Sequence, residues 1–257
     1  SLLTVVLAAL FSSPDEKQIT LADWSRNAAT DFRLTAATEL DGTSGTATYG
    51  APYNHTSGAA QKIGPVSLQH IAGVTQTINT AQDFVVTPLS GVAAAADPAL
   101  ASALSTWRSA SPSEQQKWAT SYDDALAKAP GNDAAKVAAG SYGPVPVMLD
   151  ALLHLAQSGG LDGALLVQRG FFQTDYTKPL LFIADGAYLE NVARAEHLGG
   201  DQWGMMNETG SYPGQAWLWL YTFWYQVKPF STSGHADALV WALMMLLSAG
   251  LILVPFI

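Results

Sequence analysis

The chain has 257 residues, enough to bury a hydrophobic core as one large domain or two smaller ones. Only 13% of its residues are charged, about half the usual fraction in soluble proteins, and 49% are hydrophobic, which excludes disorder and disfavours an ordinary cytosolic enzyme. The net charge of −9 argues against nucleic acid or an anionic membrane surface as a partner, and the absence of cysteine excludes disulfides, thiolate metal sites and cysteine-bound haem or iron–sulfur clusters.

An apolar run opens the chain. Residues 2–11 read LLTVVLAALF and are followed by Ser12, Ser13 and Pro14. Ten residues are too few to cross a bilayer, so we interpret residues 1–13 as the end of an N-terminal transmembrane helix. The alternative is the remnant of a signal-peptide core.

The first helix predicted after this run covers residues 21–40. Thr20 is placed to cap it. The apolar residues from Leu21 to Phe32 recur at a spacing of three to four positions, which is typical of an amphipathic helix.

The stretch 41–58 is rich in Gly and Thr, has no helical period and predicts an ordered loop. Within it, residues 42–46 have the composition of a nest of backbone amides that binds an anion. Residues 63–92 predict one short helix near residues 67–72 and little regular sheet.

Four further helices are predicted from local start and stop signals. Asp97–Pro98 opens one with a cap and a first-turn proline, and the capping box at Ser111–Glu114 opens the next. Residues 145–157 form the third, and residues 178–198 form a longer one; each ends at a pair of glycines. We therefore expect residues 14–215 to form a mainly α domain with an irregular Gly/Thr-rich insertion.

The most unusual stretch is 199–215, which is non-helical and mixes Gly with large apolar side chains. Met and aromatic residues on an adaptable loop are typical of protein–protein contact surfaces. The alternatives are a loop folded over its own domain and a small-molecule site. Together with the aromatic run that follows, this stretch supplies the candidate partner contacts: Trp203, Met205, Met206, Tyr212, Trp217 and Trp219.

Residues 216–227, AWLWLYTFWYQV, include three Trp and two Tyr. Such rings suit the headgroup region of a bilayer, so we interpret residues 216–235 as an interfacial aromatic helix and a linker. A core helix of the preceding domain and part of another membrane span are the alternatives.

The strongest signal is at residues 239–257, nineteen consecutive residues without a charge. As a helix they would cover roughly 28 Å, close to the roughly 30 Å of a bilayer's hydrocarbon core. Residues 236–257 are therefore predicted to be a C-terminal transmembrane helix of an integral protein of the cell membrane. The acidic, cysteine-free segment between the two apolar ends is expected on the extracytoplasmic side.

Two pairs of polar residues are candidates for a site. Asp150 and His154 lie four positions apart on one predicted helical face, a spacing that lets them share a metal ion or a hydrogen bond. Glu196 and His197 lie at a predicted helix end near Asp201, where a His meets the helix dipole. For both pairs a local structural role is the simpler interpretation, because a metal would need a further ligand.

No motif for nucleophilic catalysis, nucleotide binding or zinc-dependent hydrolysis is present, and we predict no catalytic residue, metal or cofactor. Neither apolar end run contains a histidine, so a transmembrane b-type haem is not expected. Two N-x-T sequons, at Asn54 and Asn207, are glycan acceptors only in a host that glycosylates exported proteins.

Together these features favour an accessory subunit of a larger membrane complex, in a respiratory or other electron-transfer assembly whose cofactors belong to neighbouring subunits. Its expected partners are other membrane-protein subunits and the lipid bilayer. One alternative is a membrane-anchored extracytoplasmic enzyme, a hydrolase or a metal-dependent one, that uses Asp150/His154 or Glu196/His197. The other alternative is a solute-binding or sensor domain.

Overall fold

The computed structural model describes residues 19–50, 54–55, 62–63, 66–67, 77–91, 97–170, 173–199, 201–202 and 216–254. These residues are mainly helical, as the sequence predicts, with four short strands. Contacts divide the chain into two compact units. Ile19–Tyr188 forms the first, here called the helical unit, and Leu189–Ile257 with Ser1–Gln18 the second, here called the terminal unit. The sequence analysis divided the chain into four segments by their expected positions relative to a membrane, and that division stays a prediction.

The helical unit is built from short helices and two small hairpins. Its helices are α1 Leu21–Asn27, α2 Ala29–Asp41, α3 Gly45–Thr48, α4 Thr87–Leu89, α5 Pro98–Ser109, α6 Pro112–Lys128, α7 Val145–Gln157, α8 Gly160–Leu165 and α9 Thr177–Ala184. A π-helical segment, Ala81–Val86, runs into α4, and 3-10 turns lie at Pro130–Asn132 and Ala134–Lys136. Strand β1 Lys62–Ile63 pairs antiparallel with β2 Val66–Ser67, and β3 Val167–Gly170 pairs antiparallel with β4 Gln173–Asp175.

Three helices confirm the local signals read from the sequence. Asp97 Oδ1 accepts a hydrogen bond from the backbone N–H of Ala99 at 2.8 Å and so caps α5. Both halves of the predicted capping box at Ser111 and Glu114 are formed at the start of α6. Helix α7 has the predicted bounds.

The predicted helix 21–40 is wrong in one respect: it is two helices, α1 and α2, with a turn at Ala28. Thr20 does cap α1, because its Oγ1 accepts from the backbone N–H of Asp23 at 3.0 Å. The turn brings Trp24 and Phe32 into edge-to-face contact, with 4.9 Å between their ring centroids. In one continuous helix these two residues would be about 12 Å apart along the axis, so the contact requires the break.

The core of the helical unit is centred on four aromatic side chains that are all 0% exposed: Trp24, Phe32, Phe84 and Phe182. The Phe182 ring lies 5.3 Å from Trp24, 5.4 Å from Phe32 and 5.5 Å from Phe84, centroid to centroid. Aromatic pairs in such geometries contribute roughly 0.5–1.5 kcal/mol each beyond the area they bury. The cluster therefore joins α1, α2, the π-helical segment and α9.

The predicted helix 178–198 is also wrong, because the chain turns at Asp185 and Gly186 between α9 and α10, Ala187–Ala195. Gly186 is buried, and a Cβ at this position would overlap the Trp24 ring. The close approach of backbone to indole therefore depends on glycine here.

Asp31 on α2 caps the helix that starts after this turn. Its carboxylate accepts hydrogen bonds from the backbone N–H of Ala187 at 3.1 Å and of Tyr188 at 3.0 Å. Asp31 Oδ2 also accepts from Trp24 Nε1 at 2.7 Å. One carboxylate thus satisfies both the indole N–H and the first amides of α10, and no neighbouring residue in the sequence marks this cap.

Two stretches, 41–58 predicted as an ordered loop and 63–92 predicted as one short helix with little regular sheet, contain helices that the sequence did not predict. The stretch 41–58 includes α3, whose cap Ser44 accepts from the backbone N–H of Ala47 at 3.0 Å. Residues 63–92 include part of the first hairpin and the whole π-helical segment. The short helix expected near residues 67–72 starts at Ser67, which lies in β2, and otherwise falls outside the described residues.

The terminal unit contains most of α10, followed by α11 Ala216–Trp224, a 3-10 turn at Phe230–Thr232 and α12 Ala236–Leu253. Of the helices that the structure describes, α12 is long and apolar enough to cross a membrane, with a mean hydropathy of 2.0 over 18 residues. Only 6% of this helix is buried. The apolar run predicted at residues 1–13 lies outside the described residues.

We predict that Gly186→Ala lowers the free energy of unfolding by about 1–3 kcal/mol, because an added methyl group must displace the buried Trp24 ring. Urea unfolding of the full chain in mild detergent, followed by circular dichroism, measures this. Gly163→Ala on α8 is the matched control, since its Cβ would meet no atom within 4 Å. The control should be neutral or slightly stabilising. Equal stability of the two variants would contradict the packing argument.

Candidate functional site

The candidate partner contacts fall mostly outside the part of the chain that the structure describes. This is so for Trp203, Met205, Met206 and Tyr212, and for the side chain of Trp217. Trp219 on α11 is described, and it is 39% exposed. The predicted contact surface therefore stays a prediction.

The Asp150 and His154 pair lies on α7, as expected, but Asp150 has a different partner. Arg33 on α2 donates to Asp150 Oδ1 at 2.6 Å, and this ion pair lines a cavity of about 490 Å³. His154 lies one turn further along and is exposed. The pair that the structure brings together is thus Arg33 with Asp150.

Glu196 and His197 lie just beyond the end of α10, and both are exposed. The ion pairs in this stretch are made by Arg194, which donates to Glu190 Oε1 at 2.7 Å and to Asp201 Oδ2 at 3.1 Å. Within the described ranges, no group of three or more His, Asp or Glu side chains is placed to hold a metal ion.

A fully buried carboxyl group, which the sequence analysis missed, lies on α2. Glu39 is 0% exposed, and Ser44 Oγ donates to its Oε2 at 2.6 Å. Its Oε1 is buried, and none of the described residues places a donor N–H or O–H within reach of it. The group it meets instead is the carboxyl group of Asp185, at the turn after α9. Thr80 Oγ1 donates to the backbone carbonyl of Glu39 at 2.8 Å.

Two carboxyl groups form a hydrogen bond only when one of them carries a proton. Burial away from water, the hydrogen bond to Asp185 and the charge of Asp185 raise the pKa of Glu39 to about 10, although hydrogen bonds from Ser44 and Thr80 oppose this. Glu39 is therefore protonated at neutral pH, and its hydrogen bond with Asp185 is one of the causes. Glu39 and Asp185 are here called the carboxyl pair.

The start of α3 holds Asp185 from the other side. Asp185 Oδ1 and Oδ2 accept from the backbone N–H of Thr46 at 3.2 and 3.1 Å. The amide nest predicted at residues 42–46 is not formed, because the backbone N–H groups of residues 42–44 donate to the Thr38 carbonyl and Thr46 supplies the amide that meets Asp185. At Gly45 a Cβ would lie 2.9 Å from Asp185 Oδ1, so this approach also favours glycine.

Asn54 holds α3 in place. Its Nδ2 donates to the carbonyl oxygens of Thr46 at 2.6 Å and Ala47 at 2.9 Å, and its Oδ1 accepts from the backbone N–H of Gly50 at 3.0 Å. Asn54 is buried. By bonding these three backbone groups, the Asn54 side chain fixes the short helix α3 and therefore the position of Thr46.

Each member of the carboxyl pair lines a cavity. Glu39 lines one of about 330 Å³ together with His55 and Gln116. Asp185 lines a second of about 420 Å³ together with Leu181 and Ala184.

Accessibility decides what this arrangement can do. The Glu39 side chain is 0% exposed, so its proton does not face a substrate, whereas Asp185 is only half-buried. Asp185 is therefore the member of the pair whose carboxyl group can meet a ligand, in the second cavity. The carboxyl pair therefore differs from a catalytic acid and base, because both members of a catalytic pair reach the reacting group.

A second group of acids lies where α2 and α6 pack together. Burial and the charges of Asp41 and Asp124 raise the pKa of Asp123 to about 6. Burial is also the main cause that raises the pKa of Asp41. Because the pKa of Asp123 is about 6 and that of Glu39 about 10, the change in stability with pH above pH 7 reports Glu39 and not Asp123.

Glu39 should make the protein less stable as the pH rises. Its pKa is about 10 in the folded chain and near 4.5 when solvated, so unfolding releases a proton between these values. The stabilisation that the protonated Glu39 gives to the folded chain is fully present below about pH 4.5. Above that pH it is lost at up to about 1.4 kcal/mol per pH unit. We predict that Glu39→Gln, which keeps a donor to Asp185, flattens the fall in the free energy of unfolding between pH 7 and 9.

Glu114→Gln is the matched control for this measurement, because Ser111 hydrogen bonds lower the pKa of the exposed Glu114. It should shift stability by the same amount at pH 7 and at pH 9. The assignment of a buried proton to Glu39 would be wrong if the two variants had the same pH profile.

No family model matches the chain, and no match was found among curated proteins or solved structures.

Proposed function

We propose that the chain is an accessory subunit of a larger membrane complex, anchored in the bilayer by α12. In this proposal it is integral to the cell membrane, and its helical unit lies on the extracytoplasmic side and contacts other subunits. The observation that carries the proposal is the exposed, apolar surface of α12 beyond its first turn.

Large apolar side chains cover α12 and are not buried by the chain itself. Leu246, Leu251 and Ile252 are 68%, 71% and 68% exposed. Burying such a side chain is worth about 1.5–3 kcal/mol, so a helix that exposes many of them to water is unfavourable. A bilayer of about 30 Å hydrocarbon thickness removes that cost.

Aromatic residues gather at the N-terminal end of α12. Helix α11 contacts α12, and Tyr225 Oη donates to Asp237 Oδ1 in the first turn of α12 at 2.8 Å. Trp241 and Phe223 are 63% and 43% exposed. Rings beside a polar helix start suit the headgroup region, which supports an interfacial position for α11.

The proposed side of the membrane and the proposed partners rest on the sequence. The acidic, cysteine-free composition supports the extracytoplasmic side. The Met- and aromatic-rich sequence of residues 199–215 supports contact with other subunits. A respiratory or other electron-transfer assembly is the narrower form of the proposal, in which the cofactors belong to the other subunits.

We predict that Met245→Arg combined with Leu246→Arg releases the chain from membranes, because each charge at the helix centre costs about 2.5–3.5 kcal/mol on insertion. The readout is the fraction of chain that sediments with membranes after alkaline carbonate extraction. Leu180→Arg is the matched control, since Leu180 is 63% exposed but lies on α9. Release of the unaltered chain by carbonate would contradict the anchor.

The accessory role predicts that the chain, extracted from its native membranes in gentle detergent, is recovered with a fixed set of other membrane subunits. Mass spectrometry of the purified material identifies them, and absorption spectra show whether they carry redox cofactors. Recovery of the chain alone would overturn the accessory role. Recovery with subunits that lack redox cofactors would overturn only the electron-transfer assignment.

A further inference from the structure

The cavity beside Asp185 combines an apolar lining with a single charge. Its volume is about 420 Å³, within the roughly 300–1,000 Å³ typical of small-molecule sites. Ile78, Leu181 and Ala184 supply apolar atoms, and the Tyr49 ring also lines it. Asp185 is the one acidic or basic side chain in this lining among the described residues.

The charge at this cavity has no ionic partner in the described part of the chain. No Lys, Arg or His nitrogen there lies within 4.0 Å of the Asp185 carboxylate, and the ion pairs of the helical unit are made elsewhere. The nearby Lys178 on α9 is already paired with Asp83 at 2.8 Å. The half-buried Asp185 carboxyl group thus meets this apolar lining with the Thr46 N–H as its backbone donor and with no cationic side chain beside it in the described residues.

The form of the cavity selects the kind of cation. A metal ion prefers several oxygen ligands, and here a single carboxylate is available whose oxygens already accept from Thr46. An ammonium group needs only one carboxylate and gains from an aromatic face such as Tyr49. An apolar substituent on that ammonium would replace water along Leu181 and Ala184.

We propose that this cavity binds a small organic ammonium ion, with its charged group on Asp185 and a compact apolar substituent against Ile78, Leu181 and Ala184. The site lies wholly within the helical unit, and the proposal does not rest on the membrane anchor.

The test compares two probes of similar shape and different charge, benzylammonium and benzyl alcohol, on the full chain in detergent. Isothermal titration calorimetry at pH 7 should show that the chain binds benzylammonium at least about tenfold more tightly than the alcohol. In Asp185→Asn this preference should be lost. Asp150→Asn is the matched control, because it removes a carboxylate that lines a different cavity, and it should keep the preference.

A second variant keeps the test decisive if Asp185→Asn does not fold. Ala184→Phe leaves the carboxylate in place and fills the cavity, so it should weaken benzylammonium binding at least about tenfold while thermal unfolding stays cooperative. Equal affinity for the two probes would overturn the proposal. Benzylammonium binding that survives both Asp185→Asn and Ala184→Phe would also overturn it, because the cation would then bind elsewhere.

Discussion

A single buried proton constrains the arrangement of the helical unit. Glu39 is inaccessible to water, so its carboxyl group stays neutral and needs an acceptor for its O–H. Asp185 provides that acceptor only because the chain turns after α9 instead of continuing as a helix. The same carboxyl group also accepts from the Thr46 amide, so Asp185 links α2, α3 and the end of α9.

The sequence was most informative where helix signals are local. Asp97, Ser111 and Glu114 cap the helices that follow them, and each signal lies within a few residues of the bond it makes. The predicted helices 21–40 and 178–198 were wrong because the turns that break them depend on contacts between side chains and not on a local signal. Trp24 contacts Phe32 only because the chain turns between them. Asp31 caps α10 by a hydrogen bond from Ala187, which lies 156 positions further along the chain. Contacts of that range compete with local propensity and are invisible in a window of sequence.

The candidate site shows the same limit. Composition predicted an anion-binding nest at residues 42–46, yet the amides of residues 42–44 donate to Thr38, and the Thr46 amide meets Asp185, 139 positions further along the chain. A signal for Glu39 was available, because it follows Phe32 by two helical turns and therefore shares the face that α2 buries. An acid on a core face is rare unless it is protonated or paired. The polar pairs chosen instead, at Asp150 and Glu196, stand out in the sequence by spacing alone.

The burial of Asn54 has a consequence for how the protein is made. Its side-chain nitrogen, the atom to which a glycan would be attached in the Asn54–Thr56 sequon, donates to two carbonyl groups of α3. Glycosylation in a eukaryotic secretory pathway modifies chains before they fold, so a sugar added there would keep the amide away from Thr46 and Ala47. The folded helical unit and an occupied first sequon are mutually exclusive. A bacterial host, or an Asn54 sequon removed by Thr56→Ala, is thus the appropriate choice for producing the chain.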